Sequence, residues 1–413
     1  MTQGRKHLYF ILFVILLEVI SFGIIIPIYP SLLIELSDVN LSDAAKIGGY
    51  LIFLYAFMQF ICAPIAGALS DKFGRRPVIL ISLLILALDY VLQANAPTIW
   101  WLAAGRFLGG IVGSAISPAH AYVTDISTKK NRAKYFGMLG AAIGVGFILG
   151  PALGGMLGQI DLRLPFWVAA AVMGGASLMG YFLLPESLPP EKRREFEWKR
   201  ANPIGTLVQM GKYKWVLSLF AIFFCMEMAG QAYPSVWTFF TIERFGWSIQ
   251  EVGYSLTFFG LLMAIAQGGL VGPAIAKLGN LNTIYIGFAA TISTFIVVSL
   301  VTTGWALYAF MPIMALGGFA GVVLRTILSH QVPENSQGEL QGALTSISSI
   351  VAFTSPLMMT QIFGYFTSPD AYIYMPGAPY LAAAILASIA FLLFLRVNKK
   401  ANITEQHQQE DEI

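Results

Sequence analysis

Charge is scarce in this chain. Only 11% of its 413 residues are Asp, Glu, Lys or Arg, while 57% are hydrophobic. Soluble domains carry about 25% charged residues, and a mean hydropathy of +0.70 excludes an ordinary water-soluble globule. The composition reads as a polytopic membrane protein. Cysteine is nearly missing. Cys62 and Cys225 both sit inside apolar segments, which excludes a disulfide framework and makes them core residues. Histidine is equally thin: His7, His120, His330 and His407 are scattered. With no phosphate loop, metal-ligand cluster or nucleophile motif, the chain gives no support to an enzyme. No cofactor and no nucleic-acid partner are expected.

Long apolar runs dominate what is there. A helix needs about 20 apolar residues to cross a bilayer at 1.5 Å per residue. Runs of that kind fall near 8–33, 47–69, 78–96, 99–123, 135–159 and 164–184, then 215–241, 250–275, 283–303, 305–328, 340–366 and 378–396. The N-terminal run follows Arg5 and Lys6 but is too long for a signal peptide and has no small-residue cleavage site, so it reads as a retained first span. The pattern is six spans, a charged gap and six more. The fold class is an all-α membrane protein with twelve transmembrane helices in two six-helix bundles. The bundles are expected over 1–185 and 215–397, with a cytoplasmic linker over 186–214 and a disordered cytoplasmic tail over 398–413.

Charge asymmetry orients the chain. Placing the N-terminus in the cytoplasm puts all but four of the 25 Lys and Arg residues on that side or at its edge; Lys46, Arg163 and Arg244 fall in outer loops and Arg106 lies within a span. Both termini are then cytoplasmic. A shift of 205 residues superimposes Gly48 on Gly253, Gly67 on Gly272, Lys72 on Lys277 and Gly74 on Gly279, but Asp71 on Ala276 and Arg75 on Asn280. The second copy keeps the backbone glycines and loses the charges, as parallel repeats of a transporter can.

Three features carry chemistry. The turn Gly67-Ala-Leu-Ser-Asp71-Lys-Phe-Gly74-Arg75-Arg76-Pro77 joins two antiparallel spans with far more charge than a connector needs. Asp71, Arg75 and Arg76 are expected to form an ion-pair cluster with Asp125 in reach. In the fifth span, Gly146, Gly150, Gly154 and Gly158 recur every fourth residue, with Gly155 alongside and Pro151 between. They leave one bare helix face for close backbone packing, and the proline adds a kink.

The third feature is ionisable residues inside the spans. A charge at mid-bilayer costs roughly 2.5–3.5 kcal/mol on insertion scales, so it must face the bundle interior or a partner. Asp89 and Arg106 lie eight residues before and nine after Pro97, which places them at nearly equal depth on antiparallel helices. They are expected to be close, either as a structural ion pair or in proton transfer. Glu18 in the first span and Glu227 in the seventh hold equivalent mid-span positions, where a desolvated carboxyl can load and release a proton. Phe22, Tyr55, Gln59, Tyr122, Gln231, Tyr233, Trp237 and Gln267 are the candidate lining of a cavity for an amphipathic ligand.

The 67–77 turn resembles the loop G-x-L-S/A-D-x-x-G-R-R/K of the major facilitator superfamily. Arg106-Phe-Leu-Gly109-Gly110 is similar to that family's third motif, and Gly146-x-x-x-Gly150-Pro151-x-x-Gly154-Gly155 to the signature of its drug:proton antiporters. Leu54-Tyr-Ala-Phe-Met-Gln59, Leu88-Asp89-Tyr90, Arg244-Phe-Gly-Trp247 and Gln337-Gly-Glu-Leu-Gln-Gly342 resemble the bacterial tetracycline:proton antiporters over most of the chain. The resemblance implies proton-coupled efflux of an amphipathic small molecule by alternating access, with the lipid bilayer as surroundings and a monomer as the working unit. It implies pathway roles for Glu18, Asp89 and Arg106, and a gating role for Asp71, which in the family faces the eleventh helix. Those antiporters also carry a histidine in the eighth span and an aspartate in the ninth. Here the eighth reads Gly260-Leu-Leu-Met263 and the ninth Gly287-Phe-Ala-Ala-Thr291. Coupling would then rest on Glu18, Asp89 or Glu227, and tetracycline does not carry over as the substrate. The alternatives are a dedicated metabolite or siderophore exporter on the same scaffold and an uncoupled facilitator or sensor.

Overall fold

A computed structural model describes residues 3–112, 116–128, 130–194, 213, 215–333 and 336–401. Among them there is no strand. The helices are α1 (Gln3–Gly23), α2 (Tyr29–Ser37), α3 (Leu41–Phe73), α4 (Arg75–Ala94), α5 (Ile99–Val112), α6 (Ile116–Ile126), α7 (Arg132–Ile160) and α8 (Leu164–Leu183). They continue as α9 (Val216–Gly230), α10 (Ala232–Phe245), α11 (Ile249–Ile265), α12 (Val271–Leu300), α13 (Gly304–Leu316), α14 (Gly318–His330), α15 (Gln337–Phe366) and α16 (Ala378–Ala401). Ten helical stretches are long and apolar enough to cross a membrane, and Ile249–Leu300 covers two expected spans; His7–Gly23 is a shorter apolar helix. Together they account for the twelve runs read from the sequence. Apolar side chains stay exposed along the helices, among them Phe182, Leu178, Leu300 and Leu392, as helices solvated by lipid require.

Several spans are broken where one helix was expected. The first ends at Gly23 and passes through tight turns before restarting at Tyr29, with the Ile25 and Ile26 amides donating to the Phe22 and Gly23 carbonyls. Pro27 and Pro30 explain the break, since each lacks an N–H and restricts the residue before it. The seventh span divides at Gln231 and the tenth at Gly317. The fourth is helical on both sides of residues 113–115, which lie outside the described residues. The eighth changes to a π-helical turn over Ala266–Leu270. The expected loop between the eighth and ninth spans is a helix interrupted only at Gly279, φ 75° and ψ 168°.

The chain falls into two compact units, Met1–Asn202 with Trp247–Gly260, and Pro203–Gly246 with Leu261–Ile413. The sequence division cut near 185 and 215; by contact, α11 as far as Gly260 groups with the first unit. In the first unit α1 lies along α7 and α4 along α8; in the second, α9 and α12 both pack on α16. The second unit's core gathers Phe220, Phe223, Phe288, Leu324, Leu340, Val351 and Phe394. Pro190–Lys192 forms a 3-10 turn in the linker, whose residues 195–212 and 214 lie outside the described residues. At the far end, α16 continues to Ala401, so the first residues expected in the tail are helical, and 402–413 are outside the described residues.

Candidate functional site

Asp89 and Gln93 stand one turn apart on α4, so both side chains share a face. Asp89 Oδ2 accepts from Gln93 Nε2 at 2.8 Å, and Gln93 Oε1 accepts from Arg106 Nη2 at 2.5 Å. All three are buried: 4%, 1% and 9% exposed. The depth match of Asp89 and Arg106 therefore holds, but the direct ion pair does not form. Gln93 bridges the two, and Asp89 Oδ1 and Arg106 Nε have no hydrogen-bond partner among the described residues. Gln93 escaped the sequence reading, although its place four residues after Asp89 was the available signal.

Helix α5 fits around this acid because it offers no side chain there. A Cβ at Gly105 would lie 2.5 Å from Asp89 Oδ1, and one at Gly109 would lie 2.9 Å from Oδ2. The Arg106 guanidinium sits over the rings of Tyr55, 5.4 Å, and Tyr29, 6.0 Å. Cation–π contact lowers the cost of holding a cation away from water. Glu18 is buried on α1 and lies in electrostatic range of Tyr55 and Tyr90. The first unit thus brings Glu18, Tyr55, Asp89 and Arg106 into one interior cluster, while Glu227 belongs to the second unit. A buried carboxylate with one oxygen unsatisfied is a place where a proton can be held, and a neutral amide between acid and base lets the charge on Asp89 change without breaking a salt bridge.

The glycine stripe of α7 has neighbours on two sides. Gly146 faces Val19, Gly150 faces the Gly23 backbone, Gly154 faces the Ile24 carbonyl and Gly158 faces Ile28. On the other side, Gly155 meets Gly253, and a Cβ at Gly253 would stand 2.5 Å from the Pro151 carbonyl oxygen. Thr257 Oγ1 on α11 also donates to the Ile148 carbonyl at 3.1 Å. The stripe lets α7 press backbone to backbone against α1 and α11.

Charges expected to cluster in the 67–77 turn do so. Arg75 pairs with Asp71 at 2.5 Å and with Asp125 at 3.2 Å. The anchor missed in sequence is Glu186, read there as one of many linker charges. Its carboxylate accepts from the Arg75 amide at 2.8 Å and the Arg76 amide at 3.2 Å, at the N-terminus of α4 where a negative charge is favoured. Gly74, at φ 103°, leaves room for it, since a Cβ would collide with Glu186 Oε2. Arg76 Nη2 donates to the Tyr181 carbonyl at 2.6 Å, outside the ion-pair cluster. Gly67 faces open space.

The cavity-lining candidates scatter. Phe22 is exposed and packs edge-on to Phe147; Tyr55 and Gln59 are half-buried. Tyr122 is fully buried and donates to the Pro185 carbonyl at 3.1 Å, so it holds the linker end and does not line open space. Trp237 is also core, 2% exposed. Tyr233 stacks on Phe295 and lies beside Trp237 and Tyr380. Gln267 is exposed on the π-helical turn beside Gly318, and Met263 packs against the small cluster of Ala266, Val271, Ala315 and Phe319. Gln231 lines an open cleft of about 450 Å³ with Arg325, Gln341, Thr345, Ser348 and Ser349. Glu227 adjoins it, 3.4 Å from Arg325 Nη2. Arg325 was counted in sequence among the bases of the cytoplasmic edge; the structure sets it in the cleft wall.

The profile of the Major Facilitator Superfamily matches residues 11–356. The tetracycline resistance protein, class C, of Escherichia coli is 39% identical over 361 residues, 87% of this chain and 90% of that protein. Multidrug resistance protein 2 of Bacillus subtilis is 33% identical over 308 residues, 70% of this chain and 76% of that protein. In fold, the chain is similar to a bacterial homologue of the human lysosomal transporter Spinster, solved inward-facing and unoccupied, with TM-score 0.78 at 16% identity and 98% of both chains covered.

Proposed function

Because this chain belongs to the Major Facilitator Superfamily, a family of transporters, we propose that it is a proton-coupled exporter of amphipathic small molecules. It works in the cytoplasmic membrane, as a monomer, with both termini in the cytoplasm. The proton is its coupling ion and it uses no cofactor. Relatives named for tetracycline and multidrug resistance support drug efflux. The eighth and ninth spans carry Met263 and Thr291 and no acid between Gly287 and Thr291, which favours substrates other than tetracycline.

The observation that carries the reading is the buried Asp89–Gln93–Arg106 chain. Protonation of Asp89 removes a charge from the interior and leaves Arg106 held by Gln93 and the tyrosine faces. Loss of that proton returns the negative charge to Asp89, facing Arg106 across Gln93. Glu18, in the same cluster, is a second carboxyl that can exchange a proton. Exchange of these charges between two arrangements of the helices gives alternating access its ion dependence, and Asp71 with Arg75 serves as the gate.

The test is transport by purified protein in proteoliposomes under an imposed pH gradient, across a panel of amphipathic compounds. Glu18→Gln and Asp89→Asn are expected to abolish substrate-driven proton movement. Proton exchange by both variants at the parental rate would end the assignment.

A further inference from the structure

The second unit holds a cation that the proposed proton path does not use. Arg325 on α14 keeps about half its side chain exposed, at 51%, and its contact with Glu227 on α9 is long and single, one nitrogen to one oxygen at 3.4 Å. Phe223 lies beneath the guanidinium, 5.1 Å from ring centroid to Cζ. A guanidinium has five N–H donors in a planar fork, and among the described residues Arg325 spends one of them. Arg325 itself is part of the wall of the 450 Å³ cleft.

The rest of that wall is suited to a polar group carried on an apolar body. Across from Arg325, one face of α15 supplies Gln341, Thr345, Ser348 and Ser349, with Leu344 and Ala352 between them. Among the described residues Glu227 is the only acid paired with Arg325, and Ser348 Oγ donates to its other oxygen at 3.4 Å. A partly exposed pair this loose contributes little. A bidentate guanidinium–carboxylate pair is shorter and stronger. A ligand carboxylate would therefore displace Glu227 at small cost and take the unspent donors.

We propose that this cleft is a binding subsite for the ionised acid group of an amphipathic substrate, with Arg325 as its recognition residue and Glu227 as an internal competitor for the same guanidinium. The assignment rests on the export reading and narrows it to organic acids and zwitterions.

The test is equilibrium binding of radiolabelled 2-naphthoate to the purified full chain in detergent, with 2-naphthamide and 2-naphthylmethylammonium as neutral and cationic isosteres. Naphthoate is expected to bind at least tenfold tighter than either. Arg325→Gln is expected to erase that preference and Arg325→Lys to keep part of it. Glu227→Gln is expected to tighten naphthoate severalfold, a gain that a misfolded variant cannot produce. An unchanged preference in Arg325→Gln, a preference for the cation, no measurable naphthoate binding, or weaker binding in Glu227→Gln would each overturn the proposal. Proteoliposome export of neutral and cationic drugs separates the two readings. Intact export without acid preference removes only the subsite, and acid preference without any export removes only the transport function.

Discussion

The turn at Gly74 and the turn at Gly279 lie 205 residues apart and adopt nearly the same backbone, φ 103° and ψ 160° against φ 75° and ψ 168°. Around the first, Asp71, Arg75, Asp125 and Glu186 form a connected set of charges. Around the second, Ala276 and Asn280 stand where Asp71 and Arg75 would be. There the local bonds are short-range ones, Thr283 to the Gly279 carbonyl and Asn282 to the Leu278 carbonyl, and Asn280 Oδ1 is buried without a hydrogen-bond partner among the described residues. The chain geometry of a tight passage between two helices needs glycine in both places. It needs charge in neither, so the charge at the first turn answers to something other than folding.

Four substitutions test that contrast, from the largest expected loss of stability to the smallest. Gly74→Ala meets two obstacles, a backbone conformation that costs about 1–3 kcal/mol without glycine and the Glu186 carboxylate in the place of the new methyl. It should give the largest fall in melting temperature in detergent. Gly279→Ala carries the same backbone penalty without the Glu186 carboxylate, and an equal fall in the two variants would show that Glu186 adds nothing. Glu186→Ala removes the acceptor for two amides at the start of α4 and should cost about 1 kcal/mol, the usual worth of a helix N-terminal cap. Asp71→Asn cuts an i,i+4 pair whose acid is exposed and whose Arg75 keeps Asp125, a loss of about 0.3–0.5 kcal/mol, too little to shift melting. Transport should nevertheless fall at least tenfold in that variant. Full transport by Asp71→Asn would remove the distinction between the two turns.

Much of the architecture was legible because bilayer thickness acts on composition. The apolar runs and the charged gap marked the spans, and the 205-residue shift found Gly279 before its φ was known. Helix breaks were less legible. Pro27 and Pro30 announce the interruption after Gly23, but the division at Gln231 has no comparable marker and the π-helical turn at Ala266–Leu270 arises in a sequence a regular helix would also accept. In the interior site, hydropathy and equal depth brought Asp89 and Arg106 together. The bridge was missed because an amide is uncharged and Gln93 looks like any polar residue near a helix end. Arg325 was missed for the opposite reason, since a base near the end of a span is already explained by membrane orientation. Tyr122 and Trp237 show that an aromatic with a polar tip gives no clue, by itself, whether it faces a cavity or closes a core.

The glycines at 105 and 109 have a further consequence for the acid they surround. Backbone atoms of α5 stand where a longer neighbour would have left slack, so the Asp89 carboxyl has no room to swing toward a distant donor. Its charge can change only if a donor is brought to it, by water entering the bundle or by motion of α4 and α5 past one another. Under the proposed proton coupling, gatekeeping would pass from a side chain's rotation to the spacing of two helices.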